Sequence, residues 1–289
     1  MKEKELLEAL DFYGVKDENY VNDCIFSLNV INTNESLKTR VNDLYEILYV
    51  KKDYKLIKKW KEKNKEDLFG RGYPLYITSI LILMGYRVHY KNMIDYKMDD
   101  NQIDIHKKRV KGALLDDVLN RKLRSVRVSE LAWASYFINL RIIEIGRLQY
   151  EIVFNNPINN KNETCIKIHI PRGEKLDTNN VKESLAISRK EINKYFKITN
   201  FDYYCESWLL SKDVLSCVRD DSNISKFSKL FDITPGSECK MDVLKYVFGI
   251  YDLSYNLKIL KEKTSLQKKL KEKLLKNDTI SIGIGRLRK

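Results

Sequence analysis

Residues 164–210, TCIKIHIPRGEKLDTNNVKESLAISRKEINKYFKITNFDYYCESWLL, decide the fold. The stretch reads as strand, loop, helix, strand. Ile166, Ile168 and Ile170 alternate with Cys165, Lys167 and His169, so one face of the first strand is apolar and the other polar. Pro171 and Gly173 end that strand. Asp177 suits an N-cap, because its carboxylate can accept from the unpaired N–H groups of the following turn. Val181, Leu185, Ile192 and Tyr195 then share one helical face. The β-branched and aromatic run ending Cys205-Glu206-Ser207-Trp208 supplies the second strand. Two strands joined by one helix make a parallel pair with a right-handed crossover. Ligands of open α/β sheets bind near the carboxyl ends of such strands.

Upstream, the apolar period changes to two at Ile145: Leu148, Tyr150, Ile152 and Phe154 on one face, Arg147, Gln149 and Glu151 on the other. With the polar turn 155–163, this strand and the next form an antiparallel hairpin. Polarity fixes its register. Val153 opposes Cys165, Glu151 opposes Lys167 and Gln149 opposes His169, which sets Ile152, Tyr150 and Leu148 against Ile166, Ile168 and Ile170. A slip of one residue would mix the faces.

The first part of the chain is helical throughout. Residues 2–13 and 17–31 read as short helices, and 35–63 as a helical pair carrying Leu37, Val41, Leu44 and Leu48. Gly70 to Pro74 is a turn, and the most apolar run, the thirteen residues from Pro74 to Tyr86, forms a buried helix too short to span a bilayer. A helix over 128–141 carries Trp133 and Phe137. Downstream of residue 210 come a short helix over 211–218, one capped by Ser222, and an irregular segment with a short helix around 241–248. Thr264 and Gln267 then open a helix with a capping box, and TISIGIGRL closes the chain as a strand. The fold class is therefore mixed α+β: an all-helical region over 1–125 and a mixed-sheet region over 126–289.

The 289 residues carry a net charge of +13, with lysines spread along the chain rather than gathered on one element. Such charge suits nucleic acid, an anionic surface or a phosphate-bearing small ligand. Five cysteines without a CxxC pair or a Cys/His cluster indicate neither a disulfide framework nor a zinc site, and point to a reducing, cytoplasmic setting. MKEKELLEAL is a charged amphipathic helix rather than a signal peptide. Lys51 to Lys65, with Tyr54 and Trp60 interleaved, offers the residue types of a nucleic-acid reader, although inward aromatics and solvated lysines explain the same pattern.

The words IHIPRG, LDTNNVKESL, CESWLL and DSNISKF, with GRLQYE before them and VFG and TSLQ after, resemble the GNAT-like acyltransferase C-terminal domain. The resemblance covers roughly residues 125 to 289; ahead of it the family typically carries a helical domain. It implies a mixed, splayed sheet that holds acetyl-CoA or another acyl-CoA between its fourth and fifth strands. An amine attacks the thioester directly there, a general base takes the proton, and no metal is used. It also implies that Ile170, Pro171, Arg172 and Gly173, with the start of the next helix, cradle the diphosphate. The family's loop usually reads R/Q-x-x-G-x-G/A directly into its helix, whereas here Arg172-Gly173 is followed by Glu174-Lys175-Leu176-Asp177.

Candidate catalytic residues are His169, Glu206, Ser207 and Cys205. His169 ends its strand on the polar face, and an imidazole is largely neutral at pH 7. Glu206 and Ser207 point to opposite faces, so only one can share the cleft with His169. Cys205 is a potential acyl carrier or a buried structural thiol, and Tyr203 and Tyr204 are possible proton donors to a leaving thiolate. Two other functions stay open: a binding module with this fold and no chemistry, and a basic nucleic-acid-binding protein.

Overall fold

The computed structural model describes residues 1–53, 56, 76–123, 125–154, 157 and 163–288. The turn read at Gly70 to Pro74, most of the basic segment after Asp53 and most of the polar turn before Glu163 lie outside the described residues. The chain divides into two compact units, Met1–Ile143 and Glu144–Lys289.

In the first unit, α1 (Glu3–Phe12), α2 (Glu18–Thr33) and α3 (Glu35–Tyr45) bury the leucine and isoleucine faces that their 3.6-residue period requires. Leu37, Val41, Leu44 and Leu48 are all interior. At the centre lies α4 (Ile77–Met84), in which every residue from Ile77 to Leu83 is buried. Its polar atoms are matched: Tyr20 donates to Ser79 Oγ at 2.8 Å, and Tyr49 donates to the Leu81 carbonyl at 2.9 Å. Around it stand α5 (Tyr86–Asp95), α6 (Asp100–Leu115) and α7 (Val128–Ile138). Leu131, Ala134, Phe137 and Ile138 of α7 belong to this helical core, which carries the first unit past residue 125 to Ile143.

The second unit is built on a six-stranded mixed sheet of β1 (Ile142–Ile145), β2 (Leu148–Val153), β3 (Cys165–His169), β4 (Asp202–Ser207), β5 (Phe231–Glu238) and β6 (Ser281–Leu287), in the order β1-β2-β3-β4-β6-β5. The β2/β3 hairpin has the expected register, with Val153 opposite Cys165, Glu151 opposite Lys167 and Gln149 opposite His169. β3 and β4 are parallel, joined by α8 (Thr178–Phe196), whose N-terminus Asp177 caps by accepting from the N–H groups of Asn179 and Asn180. Helix α8 meets the apolar face of the sheet through serines. Ser184 bonds the Tyr150 hydroxyl at 2.8 Å, and Ser188 the Tyr203 hydroxyl at 2.6 Å. Small side chains on the helix leave room for the two rings beneath it.

Beyond β4 come a 3₁₀ turn (Trp208–Leu210), α9 (Lys212–Leu215) and α10 (Asn223–Ser228), the last capped by Ser222 as read from the sequence. The irregular segment expected next is instead strand β5, followed by α11 (Lys240–Val243) and a π turn over Leu244–Phe248. Pro235 and Gly236 hide a strand that runs along the sheet's edge, where a missing N–H costs no ladder bond. Thr264 and Gln267 form the capping box of α12 (Ser265–Leu275). In β6, Gly283 lies against the chain after β4: a Cβ there would stand 2.2 Å from the Leu210 carbonyl oxygen. Gly283 thus answers to close backbone approach, and Gly285 to the Phe231 and Leu210 side chains packed over it. No helix among the described residues is long and apolar enough to cross a membrane.

Two outcomes are expected. Gly283→Ala forces Leu210 away and costs about 1–3 kcal/mol in denaturant unfolding. In the helical core, burial depresses the His89 imidazole well below its ordinary range and pushes His106 down to about 4. Because the unfolded chain binds protons more readily, stability falls as pH drops from about 6.5 towards 4, by on the order of 3 kcal/mol for His106. His106→Asn, which has nothing to titrate, should make the thermal-unfolding midpoint fall less steeply across that window, leaving the share of His89.

Candidate functional site

The ladder between β3 and β4 runs from Cys165 opposite Asp202 to Ile168 opposite Cys205, and no further. β4 continues regardless, with Glu206 and Ser207 paired to Ile284 and Gly283 of β6. β3 likewise continues on its other side, where His169 pairs with Gln149. The two parallel strands therefore part company at His169 and Glu206. A gap opens between strands that are each held from behind.

Alternation sorts the side chains at this gap into two faces. Ile166, Ile168, Tyr203 and Cys205 lie with α8, and Gln149, Glu151, Lys167, His169 and Glu206 lie opposite. His169 and Glu206, two of the four candidate catalytic residues, share a face. Cys205 and Ser207 do not join them. Cys205 is fully buried, and burial pushes its thiol up to about 12, which keeps it protonated and a poor nucleophile. Ser207 accepts from the Leu209 N–H and caps the 3₁₀ turn.

The polar face is a chain of paired charges. Glu151, only 5% exposed, faces His169 Nε2 at 2.7 Å. Lys167 donates to Glu206 at 2.6 Å, and Gln149 to Glu144 at 2.6 Å. A buried carboxylate beside Nε2 selects the tautomer that keeps its proton there and makes Nδ1 the basic nitrogen. Burial lowers the His169 affinity for protons, and the bond to Glu151 raises it in partial offset. The imidazole is therefore neutral at pH 7 and able to accept a proton. Glu206 spends its carboxylate on Lys167, so His169 is the better placed base. Glu151 appears in the sequence only as a polar partner in the hairpin register; its diagonal approach to His169 follows from that register.

The loop after β3 holds the other candidates. Ile170 and Pro171 are half-buried, and Arg172 and Gly173 are exposed, Gly173 at φ +111° where a side chain would be strained. Arg172 donates to the Lys245 carbonyl at 3.3 Å and lies 4.6 Å above the Tyr246 ring. Tyr246 in turn stacks on Trp208, their planes within 8° and centroids 6.4 Å apart. The ends of β3 and β4 are thus bridged by an Arg172–Tyr246–Trp208 stack, which the sequence gives no means of foreseeing, since Tyr246 lies about forty residues downstream. Among the described residues no group of three or more His, Cys, Asp or Glu side chains is arranged to hold a metal ion.

Residues 142–287, a little over half of the chain, match the model of the family described as GNAT-like C-terminal domain. No curated protein matches the chain. Solved structures share its fold at low identity. An acyltransferase mutant in complex with octanoyl-CoA superposes with a TM-score of 0.72 at 15% identity, over 99% of this chain and 88% of the other. An acyltransferase in complex with decanoyl-CoA gives a TM-score of 0.63 at 16% identity over 73% of this chain, which spans 65% of that structure's length. One in complex with decanoyl-CoA and teicoplanin gives 0.62 at 17% identity, over 74% and 67% of the two chains.

The His169 titration is directly measurable, because the chain has only three histidines and His169→Gln identifies its resonance. The midpoint should fall below about 6.5. Glu151→Gln removes the group that raises it, so the midpoint should move further down; an upward move would contradict the assigned pairing.

Proposed function

Since this chain belongs to the GNAT-like C-terminal domain family, we propose that it transfers an acyl group from acyl-CoA, or another phosphopantetheine thioester, to an amine. One observation carries this reading: the ladder between β3 and β4 stops at Ile168 and Cys205, and His169, backed by Glu151, stands at that point. A thioester lying in the gap meets the main chain at the end of β3, where a single N–H dipole directed at that edge can polarise its carbonyl. The amine attacks the carbonyl carbon, and the C=O electrons move onto oxygen. His169 takes the ammonium proton. As the carbonyl re-forms, the C–S bond breaks, and the thiolate leaves and is protonated to the thiol.

The diphosphate end falls to the loop 171–177, beside the positive dipole end of α8, whose Asn179 and Asn180 N–H groups Asp177 already holds. Arg172 supplies a cation for it once drawn away from the Lys245 carbonyl, which unstacks Tyr246. A ligand in the gap should therefore change the fluorescence of Trp208, and Trp208→Phe should abolish that change. A second reading, a thioester-binding module without turnover, draws on the same stack, since Arg172 is already engaged within the protein.

The experiment separates the two. CoA and octanoyl-CoA should raise the unfolding midpoint, by about 2.7 kcal/mol of stability at 100 times the dissociation constant. If the chain is an enzyme, His169→Ala lowers kcat about 10²–10⁴-fold with thioester affinity retained. Stabilisation without acylation of any amine in a panel would favour the binding module. Absence of stabilisation by every acyl-CoA would overturn both.

A further inference from the structure

Arg147 stands in the two-residue turn between β1 and β2, next to Gly146 at φ +56°, and is 5% exposed. A buried guanidinium is costly unless its donors are matched. Three of its donors go to one loop. Nε donates to the Lys175 carbonyl at 2.9 Å, Nη1 to the Pro171 carbonyl at 3.0 Å, and Nη2 to the Glu174 carbonyl at 2.7 Å. The three acceptors span the connection between β3 and α8.

The geometry of the peptide bond turns this clamp into a property of the ligand face. Every peptide here is trans, so the N–H that follows each carbonyl points the opposite way. With the carbonyls of Pro171, Glu174 and Lys175 drawn towards Arg147, the N–H groups of Arg172, Lys175 and Leu176 point away from it. The guanidinium does not need to touch an anion to create a site for one. It sets the sign of the dipoles that the loop presents on the side away from Arg147.

We propose that Arg147 is the positioning residue of the phosphate-binding loop, preorganising residues 171–176 so that backbone N–H groups rather than carbonyls meet the diphosphate of an acyl-CoA. The assignment rests on the acyl-CoA reading above. Without the clamp, three carbonyls lose their partners, and any peptide that flips places a partial negative charge against the phosphates. A lysine keeps the charge but has no planar fork to reach three carbonyls at once.

The test compares Arg147→Lys and Arg147→Gln with wild type, using two donors that differ only in the nucleotide: octanoyl-CoA and octanoyl-pantetheine. For octanoyl-CoA, kcat/KM should fall by as much as about 100-fold, expressed in KM, as expected of a displaced binding group. For octanoyl-pantetheine, which has no diphosphate, kcat/KM should stay within about twofold of wild type, measured at a temperature below the lowered unfolding midpoints of the variants. CoA affinity by calorimetry reports the same effect without turnover. If both donors lose equally, Arg147 is merely structural and the proposal fails. It also fails if CoA binds both variants as it binds wild type. Should a variant not fold, 3′-phosphoadenosine diphosphate binding to the soluble conservative variant decides in its place: undiminished affinity overturns the proposal. Failure of wild type to bind CoA would instead remove the acyl-CoA reading itself, a distinct result.

Discussion

The register of the β2/β3 hairpin governs the rest of the sheet unit. Because Gln149 lies opposite His169 and Tyr150 opposite Ile168, every second residue of both strands faces α8 and every other one faces the charged side. β4 inherits the same division through its parallel ladder, which sets Tyr203 beside Ile166 and Cys205 beside Ile168. A shift of β3 by one residue would bury Lys167 and His169 beneath the helix and expose its isoleucines. No local repair could recover either the core or the site.

The two faces carry different interactions. Against α8, hydroxyl pairs between Tyr150 and Ser184 and between Tyr203 and Ser188 let large rings and a helix approach without leaving buried donors unmet. On the opposite face, Glu151 is nearly as buried as the core, which an isolated carboxylate could not sustain. His169 matches it. The same contact that makes Glu151 tolerable orients the imidazole, so structural need and chemical capacity meet in one hydrogen bond. Lys167 and Glu206 satisfy each other in the adjoining row, which separates the strand's cation from the histidine.

Much of this could be read from the residues. Alternation gave the hairpin register, and Asp177, Ser222 and the Thr264/Gln267 pair gave three helix starts, because capping is a local interaction between residues two or three apart. That only one of Glu206 and Ser207 shares a face with His169 followed from the same alternation; the β3/β4 register decides that it is Glu206. Signals that depend on distance were hidden. Strand β5 exists because β6 offers it an edge, and its Pro235 reads as a breaker in isolation. Helix α7 looks interchangeable with either half of the chain until its leucine and phenylalanine meet the helical core. Arg147 looks like one more surface cation; only the loop 24 to 28 residues later shows what its donors do.

The carboxylates of that loop look hostile to a diphosphate in the sequence, and their placement removes most of the objection. Asp177 turns its Oδ1 to the N–H groups of Asn179 and Asn180, and so belongs to the start of α8. Glu174 lines, with Arg147, Asn180, Glu183, Ser184 and Ile187, a cavity of about 300 Å³ on the guanidinium's side of the loop. Glu174 thereby sits on the side of the carbonyls, while Asp177 sits with the first N–H groups of α8. What decides whether such a segment attracts an anion is the direction of its dipoles at the surface the anion meets, more than the count of acids within it. A loop of this composition can serve a phosphate only if something holds its two sides apart, and the buried guanidinium of Arg147 is the group in place to do so.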